Sequence, residues 1–413
     1  MADKIDLDDI IDRTQTDSIK WNPEIIKQWY NLDDQLPLWV ADMDFRVPQP
    51  VIDAMIQRAQ HGIFGYAAEG ESYYHAVIDW FKDRHHWEIQ REWIQITPGI
   101  VPAINFFIQT YTNPGDKIII QEPVYYPFKM GIVNNGRQVV NNNLILEEAN
   151  EAGKGREGKY IMDFEDLKKK ARDKRTRMLI LCSPHNPVGR VWTREELQHL
   201  GDICLKNNIL VIADEIHCDL LMPGQTHIPF ASLSPEFAAI TITCTAASKT
   251  FNLAGLHVSN IIISDPLIRN RFKTALENLG LMGANIFGRV AVEVAYRDGK
   301  VWLEDTLNYI HQNYQYLKSY IATHLPSVTV LPLEGTYLAW VDFRSIGIPP
   351  KALDEIIKHQ AHVFLDDGGM FGESGLGFQR FNIACPQAIL KEALDKITHA
   401  FNIYLVKQII PEK

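Results

Sequence analysis

The sequence has few cysteines, no long apolar run and no excess of positive charge. Only five of its 413 residues are cysteines, an odd number without a C-x-x-C pair, which argues against a disulfide framework and a zinc site. No apolar run approaches the roughly 20 residues of a membrane-spanning helix, and the acidic N-terminus does not resemble a signal peptide. The net charge of −10 disfavours binding to nucleic acid or to an anionic membrane. We therefore expect a cytoplasmic enzyme without a metal centre.

Short apolar runs alternate with amphipathic stretches along most of the chain. Helices are predicted over residues 100–111, 193–207 and 265–279, the second opening with a capping box and the third with a capping aspartate before proline. Strands are predicted over residues 117–121, 178–182, 210–213, 240–244 and 260–263. This alternation predicts an α/β fold with a mostly parallel central sheet, whose ligands bind at the carboxyl ends of the strands.

The pattern changes after about residue 295, where strands and helices no longer alternate regularly. Helices are predicted over residues 300–324, 351–360 and 387–405, with a strand over 336–343 and a glycine-rich loop over 368–377. We predict a large domain (51–295), a small α+β domain (296–413) and an N-terminal segment (1–50) that packs with the small domain or with a partner subunit. Residues 147–159, rich in Glu, Gly and Lys, are expected to form a surface loop.

Lys249 follows an apolar strand and lies among small and apolar residues. A lysine in such surroundings loses hydration, so its pKa falls and its amine can form a Schiff base with an aldehyde. A surface lysine in a loop is the alternative, and a single Ser-Lys pair does not exclude it.

Asp214 and Asn186 each come shortly after a predicted strand. An aspartate at the end of an apolar strand needs a cation or hydrogen-bond donors, and a protonated pyridine nitrogen meets that need. Prolines on both sides of Asn186 hold its amide in one place, where it can donate to a phenolate or a carboxylate. A helix cap, a magnesium ligand and a plain turn are the alternatives.

Two further residues suit anionic groups. Gly99 precedes a predicted helix, whose first free N–H groups can bind phosphate, although many helices begin in this way. Arg380 lies in an apolar setting and is expected to hold a carboxylate through two parallel hydrogen bonds. An internal salt bridge is the alternative for Arg380.

Together these residues resemble the fold-type I pyridoxal-phosphate (PLP) enzymes, the class I/II aminotransferase superfamily with the aspartate-aminotransferase fold. The resemblance covers nearly the whole chain. It is carried by the order of the motif residues Gly99, Tyr125, Asn186, Asp214, Ser248, Lys249 and Arg380.

The resemblance implies a role for each matched residue. Lys249 would carry pyridoxal 5'-phosphate as a Schiff base and move the substrate Cα proton, while Asp214 would pair with the pyridinium nitrogen. Tyr125 would stack on the ring. Asn186 would donate to the phenolic oxygen and, with Arg380, hold the substrate carboxylate. The implied phosphate contacts are Gly99, Ile100, Val101 and Ser248.

Three positions bear on assembly and on departures from the family pattern. Tyr66 resembles the tyrosine that reaches the phosphate of a neighbouring subunit, which implies a homodimer with shared active sites. His217 stands where many members have a tyrosine that contacts the phenolic oxygen, and an imidazole can donate there as well. His257 stands where many members have a phosphate-binding arginine, so the source of the second phosphate-binding charge is open.

A narrower resemblance is to the MalY/PatB-type cystathionine β-lyases. Its motifs lie at residues 38–45, 61–66, 214–217, 248–252 and 380–386, and His217 is typical of this subgroup. It implies α,β-elimination from L-cystathionine or another S-substituted L-cysteine to a thiol, pyruvate and ammonia. The implied walls of the substrate pocket are Trp39, Tyr66, Tyr125 and Phe371.

Two other functions stay open from the sequence. A class I/II aminotransferase would share the first proton abstraction, and the outcome depends on the leaving group and on the placement of Lys249. A regulatory PLP protein that acts through protein contacts is the second alternative, although the sequence has no basic helix-turn-helix segment and the catalytic lysine is present.

Overall fold

The computed structural model of the chain describes residues 6–147, 158–281 and 283–409. Most of the predicted loop, residues 148–157, lies outside the described residues, but its two ends pair as strands. In chain order the described strands are β1 (Leu36–Pro37), β2 (Ile94–Thr97), β3 (Lys117–Ile120), β4 (Gln138–Asn141), β5 (Ile145–Glu147), β6 (Lys159–Ile161), β7 (Thr176–Cys182), β8 (Leu210–Asp214), β9 (Thr241–Thr245), β10 (Ser259–Ile262), β11 (Thr329–Val330), β12 (Leu338–Asp342), β13 (Val363–Phe364), β14 (Asp366–Asp367) and β15 (Phe378–Asn382).

The helices begin and end close to the predicted bounds where the sequence showed caps. In chain order they are α1 (Pro23–Tyr30), α2 (Gln49–Gln60), α3 (Glu71–His85), α4 (Ile100–Tyr111), α5 (Pro127–Asn134), α6 (Phe164–Ala171), α7 (Arg194–Lys206), α8 (Pro235–Ala238), α9 (Ala247–Thr250), α10 (Pro266–Asn278), α11 (Ile286–Asp298), α12 (Lys300–His324), α13 (Pro350–Glu355) and α14 (Gln387–Ile409). The capping box that opens α7 is formed by Thr193 and Glu196, and Asp265 caps α10 as predicted.

A seven-stranded sheet forms the centre of the molecule, in the order β2-β10-β9-β8-β7-β3-β4. The five strands from β9 to β4 run parallel, whereas β10 is antiparallel to both of its neighbours. The predicted α/β fold with a mostly parallel sheet is therefore confirmed. Because β10 reverses direction between β9 and β2, strand β2 ends at the same edge of the sheet as the parallel strands.

Helices cover both faces of this sheet, which explains why its strands are apolar throughout. Along β7, Met178 and Ile180 pack with α4 and α10 on one face. Leu179 and Leu181 pack with α6 and α7 on the other face. Burial on both faces keeps the sheet rigid, and the loops after its strands inherit fixed positions.

The C-terminal part has its own antiparallel sheet, in the order β11-β12-β15-β14. Helix α12 contacts α14, and α14 contacts β13. The N-terminal segment reaches this part, because β1 pairs with β13 through Leu36–Val363 and Pro37–Phe364. The division into these three segments, with boundaries near residues 50 and 295, remains a prediction.

All five cysteines are buried and free. Within the described ranges, no helix combines the length and the hydropathy that crossing a bilayer requires.

Candidate active site

One edge of the central sheet collects the predicted site residues. Gly99 follows β2, Tyr125 follows β3, Asn186 follows β7, Asp214 ends β8, and Lys249 follows β9. Each of these strands ends at the same edge, so residues up to 150 positions apart in the chain come together there, as expected for ligands of parallel sheets.

A cavity of about 380 Å³ opens at this edge. A cavity of this size holds a small cofactor and part of a substrate. The predicted residues that line it are Gly99, Ile100, Val101, Tyr125, Asn186, Asp214, His217, Ser248 and Lys249, and His257 lines it as well. Other residues contribute as well, among them Ala41 and Ile216 from the motif segments, Cys182 and Ser259.

The Lys249 amine is buried at one side of the cavity. Its Nζ donates a hydrogen bond to the carbonyl oxygen of Ala41 at 2.6 Å. Burial lowers the pKa of Lys249 to about 8, with Arg380 lowering it further and the carboxylates of Asp42 and Asp214 opposing the fall. An amine with this pKa is deprotonated in about a tenth of molecules at pH 7, far more often than an ordinary lysine, and so can act as a nucleophile and base.

Asp214 presents a buried carboxyl group to the same cavity. Burial raises its pKa to about 7, and the backbone N–H of Ile216, which donates to Oδ1 at 3.3 Å, only partly opposes this. A carboxyl group in this state lacks a strong cationic partner within its own surroundings. A protonated pyridine nitrogen would supply that partner and restore the carboxylate.

His217 and Tyr125 line the same cavity. Burial lowers the pKa of His217 below its usual range, with the charges of Lys249 and Arg380 acting in the same direction, so its imidazole is neutral. Its buried Nδ1 has no hydrogen-bond partner within the part of the chain that the structure describes. Burial also raises the pKa of Tyr125, which keeps the phenol protonated. A neutral imidazole with an unused nitrogen suits the phenolic oxygen of the cofactor.

The beginning of α4 forms the anion-binding end of the cavity. Gly99 has φ +135°, a backbone conformation that glycine adopts readily, and it precedes the free N–H groups of Ile100 and Val101. Ser248 and His257 line the same cavity. These donors fit a phosphate, and the buried acid, imidazole and lysine fit an aldehyde-bearing pyridine.

Arg380 lies beside the cavity and is tied to it through Asn186. Its Nη1 donates to Asn186 Oδ1 at 2.9 Å, and its Nη2 donates to the carbonyl of Trp39 at 2.9 Å. The guanidinium also stacks over the Phe371 ring, 4.8 Å from the centroid. In addition, Nη2 forms a buried ion pair with Asp366. Arg380 therefore forms the internal salt bridge that the sequence left as the alternative to holding a substrate carboxylate.

Two other predicted substrate residues, Trp39 and Tyr66, do not line the cavity. Trp39 is buried and stacks on Phe364 with ring centroids 4.5 Å apart. Its indole Nε1 has no acceptor among the described residues. Tyr66 is fully exposed and does not line the cavity of its own chain. This exposure leaves the predicted contact with a neighbouring subunit open.

Residues 38–45, one motif of the resemblance, form a wall beside the site, and Ala41 is the residue of this wall that lines the cavity. The hydrogen bonds that hold the wall were not predicted from the sequence. The side chain of Asn252 accepts a hydrogen bond from the backbone N–H of Met43 at 3.0 Å and donates to the carbonyls of Met43 and Phe45. Asn382 donates to the carbonyls of Val40 and Asp42, both at 2.6 Å. The two asparagines stand three and two residues after Lys249 and Arg380, so the same motifs that carry the chemistry also bind this wall.

The buried Asp219 holds helix α9, which carries Lys249, through a hydrogen bond from Thr250. Asp219 accepts from Thr250 Oγ1 at 2.7 Å and from Trp80 Nε1 at 3.1 Å, and it lies 2.8 Å from His85 Nε2. Burial alone would raise the pKa of Asp219, but the hydrogen bond and charge of His85, with Arg84, lower it. The ionised carboxylate therefore anchors the turn that carries Lys249.

The sheet order and the cavity define a PLP-dependent enzyme with the aspartate-aminotransferase fold. The family described as Aminotransferase class I and II matches residues 33–397, so the chain belongs to that family.

Relatives of known name match along nearly the whole chain. Cystathionine beta-lyase PatB from Bacillus subtilis (strain 168) is 40% identical over 391 residues, which cover 95% of this chain and 98% of that protein. Cystalysin from Treponema denticola, solved with pyridoxal 5'-phosphate, has a TM-score of 0.91 at 39% identity, covering 97% of this chain and 100% of the other. The PLP-bound C-S lyase from Staphylococcus hominis has a TM-score of 0.87 at 34% identity, covering 97% and 98%. The cofactor of this chain is pyridoxal 5'-phosphate.

Proposed function

We propose that the chain is a PLP-dependent C–S β-lyase that cleaves L-cystathionine or another S-substituted L-cysteine to a thiol, pyruvate and ammonia. The observation that carries the proposal is the wall at residues 38–45. This segment holds one motif of the lyase subgroup, and it contacts the reactive amine directly through the Ala41 carbonyl. The names of the relatives that match nearly the whole chain, a cystathionine beta-lyase and a C-S lyase, support the same reaction.

In this proposal the amine of Lys249 moves the proton of the substrate Cα. The lowered pKa allows the amine to accept that proton near neutral pH. When bound, the cofactor supplies an electron sink for the electron pair that remains on Cα after the proton leaves. Asp214 would place a negative charge beside the ring nitrogen and so maintain the sink, while Tyr125 and His217 would hold the ring.

The substrate carboxylate is held by Arg380 and Asn186. Their mutual hydrogen bond of 2.9 Å fixes the two donors relative to each other before substrate arrives. Ile100, Val101, Gly99 and Ser248 bind the phosphate. Trp39 and Phe371 are buried beside Arg380 and do not line the cavity. For the sulfur-substituent pocket we therefore propose Tyr125, which lines the cavity, and Tyr66 of a second subunit as walls.

A product assay tests the reaction. The holoenzyme is incubated with L-cystathionine, and released thiol and pyruvate are measured with time. We expect both in equal amounts, because elimination releases one of each per turnover, and we expect the same from other S-substituted cysteines. A reaction without enzyme, and a reaction with enzyme treated with a carbonyl-trapping amine, serve as blanks.

An aminotransferase is the second candidate, favoured by the family match over residues 33–397. It would release a 2-oxo acid that retains the sulfur substituent and would keep the amino group on the enzyme until a second 2-oxo acid arrived. Formation of that oxo acid from cystathionine, without free thiol, would contradict the lyase proposal and establish the aminotransferase.

The proposal includes a cytoplasmic homodimer with shared active sites. Tyr66 supports it, because the side chain is fully exposed and adjoins the exposed aromatic Phe64 and aliphatic Ile63. An exposed apolar group of this kind marks a contact surface. In the dimer, the phenol of Tyr66 would donate to the phosphate held by the partner.

Mixed dimers test the shared site. Lys249→Ala and Tyr66→Ala should each impair activity, but co-expressed chains should recover about a quarter of wild-type activity, because half of the dimers are mixed and each mixed dimer has one intact site. Activity and mass by light scattering are measured on the same sample. No recovery in a dimeric sample would show that Tyr66 serves its own chain or none.

A further inference from the structure

Asp366 is placed on the substrate-carboxylate arginine by the pairing of two strands. Strands β14 and β15 are antiparallel, with Asp366 directly opposite Arg380 and Asp367 opposite Gln379. Directly opposite residues on neighbouring strands have side chains on the same face of the sheet. Asp366 therefore reaches the guanidinium, and it forms an ion pair with Nη2 in which both side chains are about 95% buried.

Three of the five N–H donors of the guanidinium have acceptors among the described residues, which leaves the Nε–H and the second Nη1–H. Nη1 donates to Asn186, and Nη2 donates to Trp39 and Asp366. The buried Nε has no acceptor within the described part of the chain. Arg380 therefore has room for another carboxylate oxygen, but its positive charge is already balanced by Asp366.

Asp366 is surrounded by three charged groups, Arg380, Lys358 and Asp367, and by tyrosine phenols. Arg380 is by far its nearest cation, and the group also includes the more distant Lys358 and the acid Asp367. The phenols that sense its charge have raised pKa values and are neutral. They are Tyr30, Tyr125 and Tyr126.

We propose that Asp366 competes with the substrate carboxylate for Arg380, and that substrate binding places a solvent proton on Asp366. This inference rests on the proposed role of Arg380 as the carboxylate clamp. A bound substrate brings a second negative charge to one buried positive charge, and neutralising Asp366 removes the repulsion. The affinity for a carboxylate therefore depends on pH through a residue that contacts neither the cofactor nor the reacting bond.

The direction of the pH dependence follows from the state of Asp366. Burial raises the pKa of Asp366, with Arg380 opposing the rise, and a second carboxylate on the same guanidinium raises it further. Low pH supplies the proton and favours binding. High pH leaves both carboxylates charged and weakens binding.

Propionate bound to the holoenzyme isolates this effect. It has the carboxylate of an amino acid but neither an amine nor a leaving group, so no reaction follows. Its dissociation constant is measured by isothermal titration calorimetry from about pH 5.5 to about pH 8.5, in pairs of buffers with different ionisation heats that report proton uptake. The proteins compared are wild type, Asp366→Asn, and Asp367→Asn as the neighbour on the opposite face.

The expected results separate the two aspartates. Asp366→Asn should bind propionate roughly tenfold more tightly than wild type at high pH, the change that corresponds to one pKa unit of carboxylate repulsion. It should also lose the proton uptake that wild type shows. Asp367→Asn should follow wild type. If Asp366→Asn matches wild type in both affinity and proton uptake, the competition does not exist.

An Arg380→Lys variant separates this inference from the proposed clamp. Loss of propionate binding in Arg380→Lys, with no effect of Asp366→Asn, would overturn the competition and leave the clamp in place. Unchanged propionate binding in Arg380→Lys would overturn the clamp itself, and the competition with it.

Discussion

Lys249→Ala is expected to lose the yellow absorbance of the bound cofactor and essentially all turnover. Without the amine there is no covalent link to the aldehyde, and no base is left beside the Ala41 carbonyl. General-base catalysis alone contributes about 10²–10⁴-fold, so we expect a loss of at least that size. Absorbance spectra and thiol release from L-cystathionine measure the two effects.

Lys273→Ala is the matched control, because Lys273 is an exposed lysine on α10, away from the cavity. It should retain both the absorbance and the activity. If Lys249→Ala kept the yellow absorbance and turned over substrate, another amine would have to carry the cofactor and the assignment would be wrong.

Asp214→Asn is expected to lower the rate on the order of 10²-fold or more, as removal of other preorganised electrostatic groups does. Asparagine keeps the size of the side chain but supplies no negative charge to the ring nitrogen, so the cofactor becomes a weaker electron sink. The rate of thiol release at saturating substrate measures the loss. A nearly unchanged rate would mean that the ring nitrogen has another partner.

The same variant, which lowers the rate of the holoenzyme, should raise the stability of the protein without cofactor. Burial raises the pKa of Asp214 to about 7, so the folded state binds this proton more tightly than the unfolded chain does. Its contribution to stability is present at low pH and is lost as pH rises through about 7. Cofactor-free Asp214→Asn should therefore melt at a higher temperature than wild type above that pH. Asp202→Asn, on the exposed side of α7, is the surface control for both measurements.

Local signals in the sequence were enough to predict much of the fold. The capping box at Thr193 predicted the start of α7, and Asp265 followed by proline predicted the start of α10. The helix predicted over residues 300–324 has the same bounds in the structure. These features depend on neighbours within a few residues, which a sequence shows directly.

The site was predictable as a set of residue types at the carboxyl ends of strands. Asn186, Asp214 and Lys249 each follow an apolar run, and parallel strands bring such residues to one edge. Gly99 was predicted only as the start of a helix, and the strand β2 before it was not predicted. The cavity brings these four together with Tyr125. Their roles in catalysis remain a proposal that the variants above test.

Long-range pairing was beyond the sequence argument. The ion pair of Asp366 with Arg380 depends on the register of two short strands, and a shift of one residue would have placed Asp367 there instead. The contact of Lys249 with Ala41 joins residues 208 positions apart. The reversed direction of β10 was likewise unpredictable, since an apolar strand reads the same in either orientation.

Reduction of the holoenzyme with borohydride, followed by peptide mass mapping, tests the central claim most directly. Borohydride converts a carbon–nitrogen double bond into a stable single bond and so fixes the cofactor to the residue that holds it. We predict that the added mass lies on Lys249 alone. Its appearance on a different lysine would contradict the site described above.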